Sequence, residues 1–242
     1  MDLEGKVALV TGAARRVGAE IARALARRGV AVAVHYRSSE GDARALVAEI
    51  QAAGGRAVAL RADVTRAADV DALVAGTEEA LGGLDLLVNN AGRFVRTPFP
   101  RVTESEWDAS VDANLKGPFL CCRAAAPGMI ARGGGKIVNI ADVAGVRPWA
   151  EYVPYSVAKA GLIALTIGLA KELAPTVLVN AVAPGAVLLE GLSEDIARRQ
   201  IARVPLRRAG APEDVAAAVV YLAENDYVTG VCLPVDGGRL AV

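Results

Sequence analysis

Short apolar runs alternate with longer helical patterns along the whole chain. Seven runs rich in Val, Leu, Ile and Ala predict strands over Lys6–Val10, Val30–Tyr36, Ala57–Asp63, Leu84–Asn89, Lys136–Ile140, Leu178–Val182 and Cys232–Val235. Between them apolar residues recur at helical spacing, for example over Gly18–Arg28, Asp42–Ala53, Ala67–Ala80 and Pro212–Ala223. Strands that are apolar throughout are buried on both faces, and intervening helices supply the crossovers of a parallel sheet. Right-handed crossovers then give a doubly wound α/β sheet with helices on both faces, whose ligand crevice lies outside the carboxyl ends of the strands. Thr103 and Glu106 have capping-box spacing ahead of a helix around Trp107, and Pro212, Glu213 and Asp214 open another. After the Pro184-Gly185 break, the Arg-rich stretch 186–204 carries a helical pattern from Gly191 to Val204. A polar helix leaving a strand end at that place is either a substrate lid or an ordinary surface helix.

Composition narrows the function classes. The 242 residues show no shift in composition at mid-chain and no solenoid repeat, so residues 1–242 read as a single domain. With 53% hydrophobic and 22% charged residues the chain buries a sizeable core. Its 27 basic residues balance 27 acidic ones and aromatics make up 4%, which leaves neither a basic stripe nor a stacking platform for nucleic acid. The start has no basic and apolar pattern of a secretion signal. The apolar run Ala160–Ala170, between Lys159 and Lys171, is shorter than the roughly 20 residues a membrane span needs. Three cysteines, two of them adjacent (Cys121 and Cys122), make no disulfide framework, and the single histidine leaves few metal ligands. The expectation is a cytoplasmic protein with a small-molecule substrate and no metal, membrane or nucleic-acid partner.

The candidate chemistry sits at the predicted strand ends. The first strand runs into Thr11-Gly12-Ala13-Ala14-Arg15-Arg16-Val17-Gly18 and then a helix. Small residues there let backbone N–H groups and the helix N-terminus approach a pyrophosphate. Arg16 stands where many such loops carry glycine, and a guanidinium there reaches phosphate or substrate. The second strand ends in His35-Tyr36-Arg37-Ser38. An acidic residue at that point selects NAD; Arg37 beside hydroxyls suits the 2′-phosphate of NADP, with Arg15 able to close over it. His35 reads as local packing beside the adenosine site. Asp63-Val64 ends the third strand, where Asp63 can accept from an adenine amino group, and Asn89-Asn90-Ala91-Gly92 ends the fourth, leaving room for ribose and nicotinamide. Tyr155 and Lys159, four apart at the start of an apolar helix, share one face. A neighbouring ammonium favours the phenolate and is expected to bring the tyrosine down from its usual pKa of about 10.

These motifs together resemble the short-chain dehydrogenase/reductase family from end to end. Asn114 in Asp112-Ala113-Asn114-Leu115-Lys116-Gly117, the segment Asn180 to Pro184-Gly185 and the terminal Asp236-Gly237-Gly238 match it as well. The resemblance implies a Rossmann-like seven-stranded parallel sheet, a nicotinamide cofactor held also by Pro184 and Gly185, and a homotetramer with 222 symmetry. It also implies that Tyr155 is the acid or base, that Lys159 binds the nicotinamide ribose, and that Asn114 holds a proton-relaying water. One position departs: thirteen residues before Tyr155 the family serine is replaced by Asp142. Arg16 and Asp142 depart together as in the family's pteridine reductases, and Phe94 falls where those enzymes stack a pterin. The resemblance therefore implies an NADPH-dependent reductase of a pterin C=N bond, with Arg16, Phe94, Asp142 and Tyr155 at the substrate. Tyr155, or Asp142 through a water, would protonate the ring nitrogen. The alternatives are reduction of a ketone, such as a 3-oxoacyl thioester or a sugar, and an NADP-binding regulatory protein without turnover.

Overall fold

A computed structural model describes residues 1–187 and 193–242. Its strands are β1 (Val7–Val10), β2 (Ala31–Tyr36), β3 (Ala57–Arg61), β4 (Leu86–Asn89), β5 (Gly135–Ile140), β6 (Val177–Pro184) and β7 (Cys232–Val235). They pair in parallel as one seven-stranded sheet in the order β3-β2-β1-β4-β5-β6-β7. The helices are α1 (Arg16–Ala26), α2 (Glu40–Ala52), α3 (Ala67–Leu81), α4 (Glu104–Val111), α5 (Gly117–Ala131), α6 (Val153–Leu173), α7 (Glu194–Ala202) and α8 (Pro212–Glu224). The strand order reverses between β1 and β4, so the crevice expected of a doubly wound sheet opens at their carboxyl ends.

Alternation along each strand divides the core in two. Ala8 and Val10 of β1 and Leu86 and Val88 of β4 face α1, α2 and α8, whereas Val7, Leu9 and Leu87 face α3 and α5. Both faces are apolar, which is why the strands lack the half-polar pattern of an exposed sheet. β3 stops at Arg61, two residues short of the expected Asp63. The Ala62 carbonyl turns instead to the His35 ring. β6 runs on to Pro184 because Ala183 and Pro184 pair with Pro234 and Val235 of β7.

Helix α5 has little sequence signature, because Gly117, Pro118, Pro127 and Gly128 interrupt its pattern; Leu120, Cys121, Cys122, Ala125 and Met129 nonetheless pack it on the sheet. Helix α6 contains the Ala160–Ala170 run and is longer than that run implied. Its 21 residues, which include an 18-residue stretch of mean hydropathy 1.5, are long and apolar enough by length and composition to cross a membrane. Here it packs on β6 and on the turn after β5, burying Tyr155 and Lys159. The Thr103–Glu106 capping box forms as expected, with Glu106 N–H donating to Thr103 Oγ1 and Thr103 N–H to Glu106 Oε2. Of the candidate lid, residues 188–192 lie outside the described residues. The helix within it is α7, none of whose side chains is buried.

His35 does more than fill space. Its ring is 2% exposed, and Nδ1 accepts the Gly12 N–H at 2.9 Å while Nε2 lies 3.1 Å from the Ala62 carbonyl. Since an N–H can only donate, Nδ1 carries the lone pair and Nε2 the proton, so the ring is neutral. Burial lowers the His35 pKa below 6.5. Protonation requires breaking the Gly12 contact, so the stability held by neutral His35 is present above about pH 6.5 and is lost as pH falls through the lower folded value. Urea unfolding between pH 7.5 and 5 is expected to show wild-type stability falling by about 1–3 kcal/mol more than that of a His35→Gln variant. Parallel losses in the two proteins would remove His35 from this role.

Candidate active site

The loops after β1 and β4 meet backbone to backbone. Thr11 Oγ1 accepts the N–H groups of Asn90 and Ala91 at 2.9 and 3.0 Å, and Asn90 Nδ2 donates to the Thr11 and Gly12 carbonyls at 2.9 and 3.0 Å. A Cβ on Gly12 would come within 2.9 Å of the Ala91 backbone, and one on Gly18 within 2.4 Å of the Gly12 carbonyl. Glycine is therefore required by the close approach itself. Arg16 occupies the left-handed region at φ 54°, which explains why glycine is the usual residue there; for arginine this conformation costs about 1–2 kcal/mol. No side chain caps α1. The free N–H groups of its first turn, Val17 and Gly18 included, face the crevice end as an anion-binding terminus. The exposed Arg16 guanidinium stands at the same end.

The carboxyl ends of β2 and β3 are less uniform. Tyr36 is buried while Arg37 and Ser38 are exposed at the β2 end. Arg61 Nε donates to the Arg37 carbonyl at 3.3 Å, bringing a second cation that the sequence reading did not include. Arg15 is engaged elsewhere: its Nε and Nη2 reach Asp42 Oδ2 at 2.8 and 2.6 Å, an exposed ion pair on the first turn of α2. Asp63 Oδ1 accepts the Thr65 N–H and hydroxyl. Val64 packs against the start of α5, 3.1 Å from where a Gly117 Cβ would lie.

The catalytic candidates converge at the ends of β5 and α6. Asp142 caps a short turn over Val143–Gly145, with Oδ1 accepting the Ala144 N–H at 2.7 Å and Oδ2 accepting the Tyr155 hydroxyl at 2.8 Å. Gly145 lets this turn lie on α6, since a Cβ there would meet the Lys159 backbone at 2.8 Å. Lys159 is buried one turn beyond Tyr155, with Nζ donating to the Ile140 carbonyl at 2.6 Å and lying 5.8 Å from the Tyr155 ring centre. Burial lowers the Lys159 pKa to about 8, against the pull of Asp142. Burial also raises the Asp142 carboxyl above its ordinary range. The tyrosine departs from expectation. Burial first, then the charge and hydrogen bond of Asp142, push Tyr155 well above 10. The ammonium does not bring it toward neutrality, because the carboxylate is in direct contact with the hydroxyl and the ammonium is not.

Asn114 is fully buried in a wide π-type turn over Asp112–Lys116 that joins α4 to α5. Its Nδ2 donates to the Arg93 and Ser110 carbonyls at 2.8 and 2.9 Å, and its Oδ1 accepts the Arg93 N–H at 3.1 Å. Both ends of the amide are thus engaged with backbone, and the side chain fixes the loop after Gly92. Phe94 is not a bare wall: Tyr152 stacks on it at 4.6 Å and 6°, while Tyr155 and Trp149 meet it edge to face at 4.9 and 6.2 Å. Tyr152 and Trp149 were not singled out in sequence. The signal was there as two aromatics, Trp149 and Tyr152, just ahead of Tyr155. The loops are also joined by Arg96 and Glu151 at 2.5 Å and by Thr97 N–H to the Glu151 carbonyl at 2.6 Å. Pro184 and Gly185 end β6 against β7, where a Gly185 Cβ would meet Asp236 at 2.8 Å. A cavity of about 530 Å³ beside them is lined by Val187, Val204, Leu206, Asp236 and neighbours. None of Asp142, Tyr155 and Lys159 lines it, so the candidate catalytic cluster lies apart from this cavity.

Comparison with known proteins agrees with this arrangement. Residues 6–200 match the family model of the short chain dehydrogenases. The chain is 43% identical to a 3-oxoacyl-[acyl-carrier-protein] reductase of Synechocystis sp., over 98% of each chain. It is 42% identical to 3beta-hydroxysteroid dehydrogenase 1 of Eggerthella lenta, over 98% of this chain and 94% of that one. Among solved structures, a dehydrogenase/reductase from Sinorhizobium meliloti 1021 superposes with a TM-score of 0.93 at 39% identity, covering 98% of this chain and 97% of that one. A blue fluorescent protein from a metagenomic library, in complex with NADPH, superposes with a TM-score of 0.92 at 37% identity, covering 99% of both. With the sheet, the glycine cradle and the Tyr155–Lys159 pair all in place, the chain belongs to the short-chain dehydrogenase family.

Proposed function

We propose that the protein is an NADPH-dependent reductase of a carbonyl group on a small molecule. The observation that carries the reading is the 2.8 Å bond from the Tyr155 hydroxyl to Asp142. The names of the reductase and steroid dehydrogenase relatives favour a carbonyl over a ring C=N bond. The cofactor fits the residues present: the Gly12–Gly18 cradle and uncapped α1 suit its pyrophosphate, and Arg37, joined by Arg61, suits its 2′-phosphate. Asp63 and Val64 would border adenine; Asn90, Ala91, Gly92, Pro184 and Gly185 the ribose and nicotinamide. The solved relative that holds NADPH supports the same choice. When bound, NADPH supplies the hydride.

The chain's own residues manage the proton. With Asp142 protonated, the Tyr155 hydroxyl turns from Oδ2 to the developing alkoxide while the Asp142 O–H turns to Tyr155 Oη. The tyrosine thus passes its proton on, is reprotonated by Asp142, and no free phenolate forms. The carboxyl is suited to this because burial keeps its proton to higher pH than usual. Lys159, held at the Ile140 carbonyl, offsets the carboxylate left behind. Asn114 holds the Arg93 loop that walls the pocket.

A pterin substrate remains a second reading, favoured by Asp142, which can share protons with a ring bearing both donors and acceptors, and by Arg16 and Phe94 beside it. Tyr152 already covers one face of Phe94, so a pterin would use the other. Self-association into a homotetramer is supported by apolar residues left exposed on α5 and α6, namely Phe119, Ile130, Val157 and Ile167. A cytoplasmic location is supported by the cofactor and by cysteines that are free thiols.

NADPH oxidation with an acetoacetyl thioester, a ketosteroid and dihydrobiopterin separates these readings. Turnover of the carbonyl compounds is expected; turnover confined to the pterin overturns the first reading in favour of the second. Replacing Tyr155 by Phe is expected to lower kcat at least about a hundredfold. In wild type kcat/KM is expected to fall as pH rises through the elevated Asp142 pKa, again near pH 8 as Lys159 loses its charge. Asp142→Ser should lack the first limb, and a profile unchanged in that variant excludes Asp142 as the proton source. For cofactor choice, Arg37→Asp should cut the NADPH-to-NADH preference in kcat/KM about tenfold or more. An unaltered ratio removes Arg37 from the 2′-phosphate site.

A further inference from the structure

Arg239, at the start of a short turn over Arg239–Ala241, reaches back to the active-site aromatics. Its guanidinium carbon lies 5.0 Å from the centre of the Trp149 ring, and Trp149 meets Phe94, which meets Tyr155. The turn is pinned in place. Asp236 accepts the Gly238 and Leu240 N–H groups, and Arg147 donates to the Val242 carbonyl. A guanidinium held over an aromatic ring keeps N–H groups available for bidentate recognition.

Those edges have no strong partner among the described residues. The nearby carboxylates, Asp236 and Asp142, are engaged with the turn and with Ala144 and Tyr155. Partial burial and the neighbouring cation Arg203 disfavour the Arg239 charge, while Asp142 and Asp236 favour it without pairing with it directly. A half-buried cation beside a second cation and without a direct ion pair has N–H groups open to an incoming anion.

Building on the reductase reading, we infer that Arg239, with the positive charge of Arg203 nearby, binds an anionic group of the substrate, a carboxylate or phosphate carried a short distance from the reducible bond. The Phe94–Trp149–Tyr152 wall then covers the apolar part of the molecule between the anion and Tyr155. Arg239 is thus a specificity residue, and the substrate class is an oxo compound bearing a carboxylate or phosphate.

The test reads binding and turnover separately. In a Trp107→Phe background, Trp149 fluorescence is titrated with acetoacetate, dihydroxyacetone phosphate and neutral methyl acetoacetate. Saturable binding is expected for one or both anions, the stronger identifying the favoured group. The anion-to-ester affinity ratio should fall about tenfold or more in Arg239→Gln and be partly retained in Arg239→Lys. Equal loss of anion and ester affinity in Arg239→Gln means that Arg239 only supports Trp149, and that result overturns the inference, as does the absence of anion binding. NADPH oxidation by the same compounds distinguishes the two readings. Arg239-dependent anion binding without oxidation of NADPH by any carbonyl compound sinks the reductase reading alone. Turnover whose anion preference is indifferent to Arg239 sinks this inference alone.

Discussion

One part-buried hydrogen bond, from the Tyr155 hydroxyl to the Asp142 carboxylate, sets the electrostatics of the groups around it. A hydroxyl partner such as serine leaves the tyrosine free to respond to Lys159. A buried carboxylate does the reverse, because phenolate formation would place two anions in contact in a site largely closed to water. In the proposed mechanism the proton that the tyrosine passes on is replaced by the carboxyl in contact with it, which burial keeps protonated to higher pH than an ordinary aspartate. The pair also depends on exact placement of two elements that are distant in sequence, the turn after β5 and the first turn of α6. Gly145 allows that placement by letting the backbones touch.

The same economy of backbone contact builds the cofactor end. Thr11 and Asn90 lace the ends of β1 and β4 together, and Gly12 and Gly18 remove the side chains that would hold the loops apart. His35 adds a clasp from β2 that satisfies the Gly12 N–H and the Ala62 carbonyl at once. The result is a laced rim at the reversal point of the sheet, with an open helix terminus on one side and the Tyr155–Asp142 pair on the other. Arg16, held at positive φ, is the one strained arginine of that rim.

Most of the sheet was legible in sequence because burial on both faces leaves a local mark, a short unbroken apolar run. The helix caps at Thr103 and Pro212 were legible for the same reason, since their chemistry lies within a few residues. Helix α5 was not, because its glycines and prolines hide a pattern that the sheet contacts restore. At the site, the motifs named residues that the structure brings together at the ends of β5 and α6, but not the interactions those residues make. The direction of the Tyr155 shift depends on burial and on a residue thirteen positions away. Arg15 is drawn to Asp42, Phe94 to Tyr152, and Asn114 to the Arg93 backbone, all contacts across loops with no periodicity to announce them. Arg239 was hidden for the same reason, its neighbour Trp149 lying far back in the chain.

The most direct test of this account is the ionisation of Tyr155 itself. Tyrosinate absorbance, followed against pH as the difference between wild type and Tyr155→Phe, isolates that residue from the other tyrosines. The account predicts that Tyr155 ionises above the ordinary value of about 10, and that Asp142→Asn lowers it. Ionisation of the wild-type residue below that value, unaltered by Asp142→Asn, would show that Lys159 governs the tyrosine and would contradict the account at its centre.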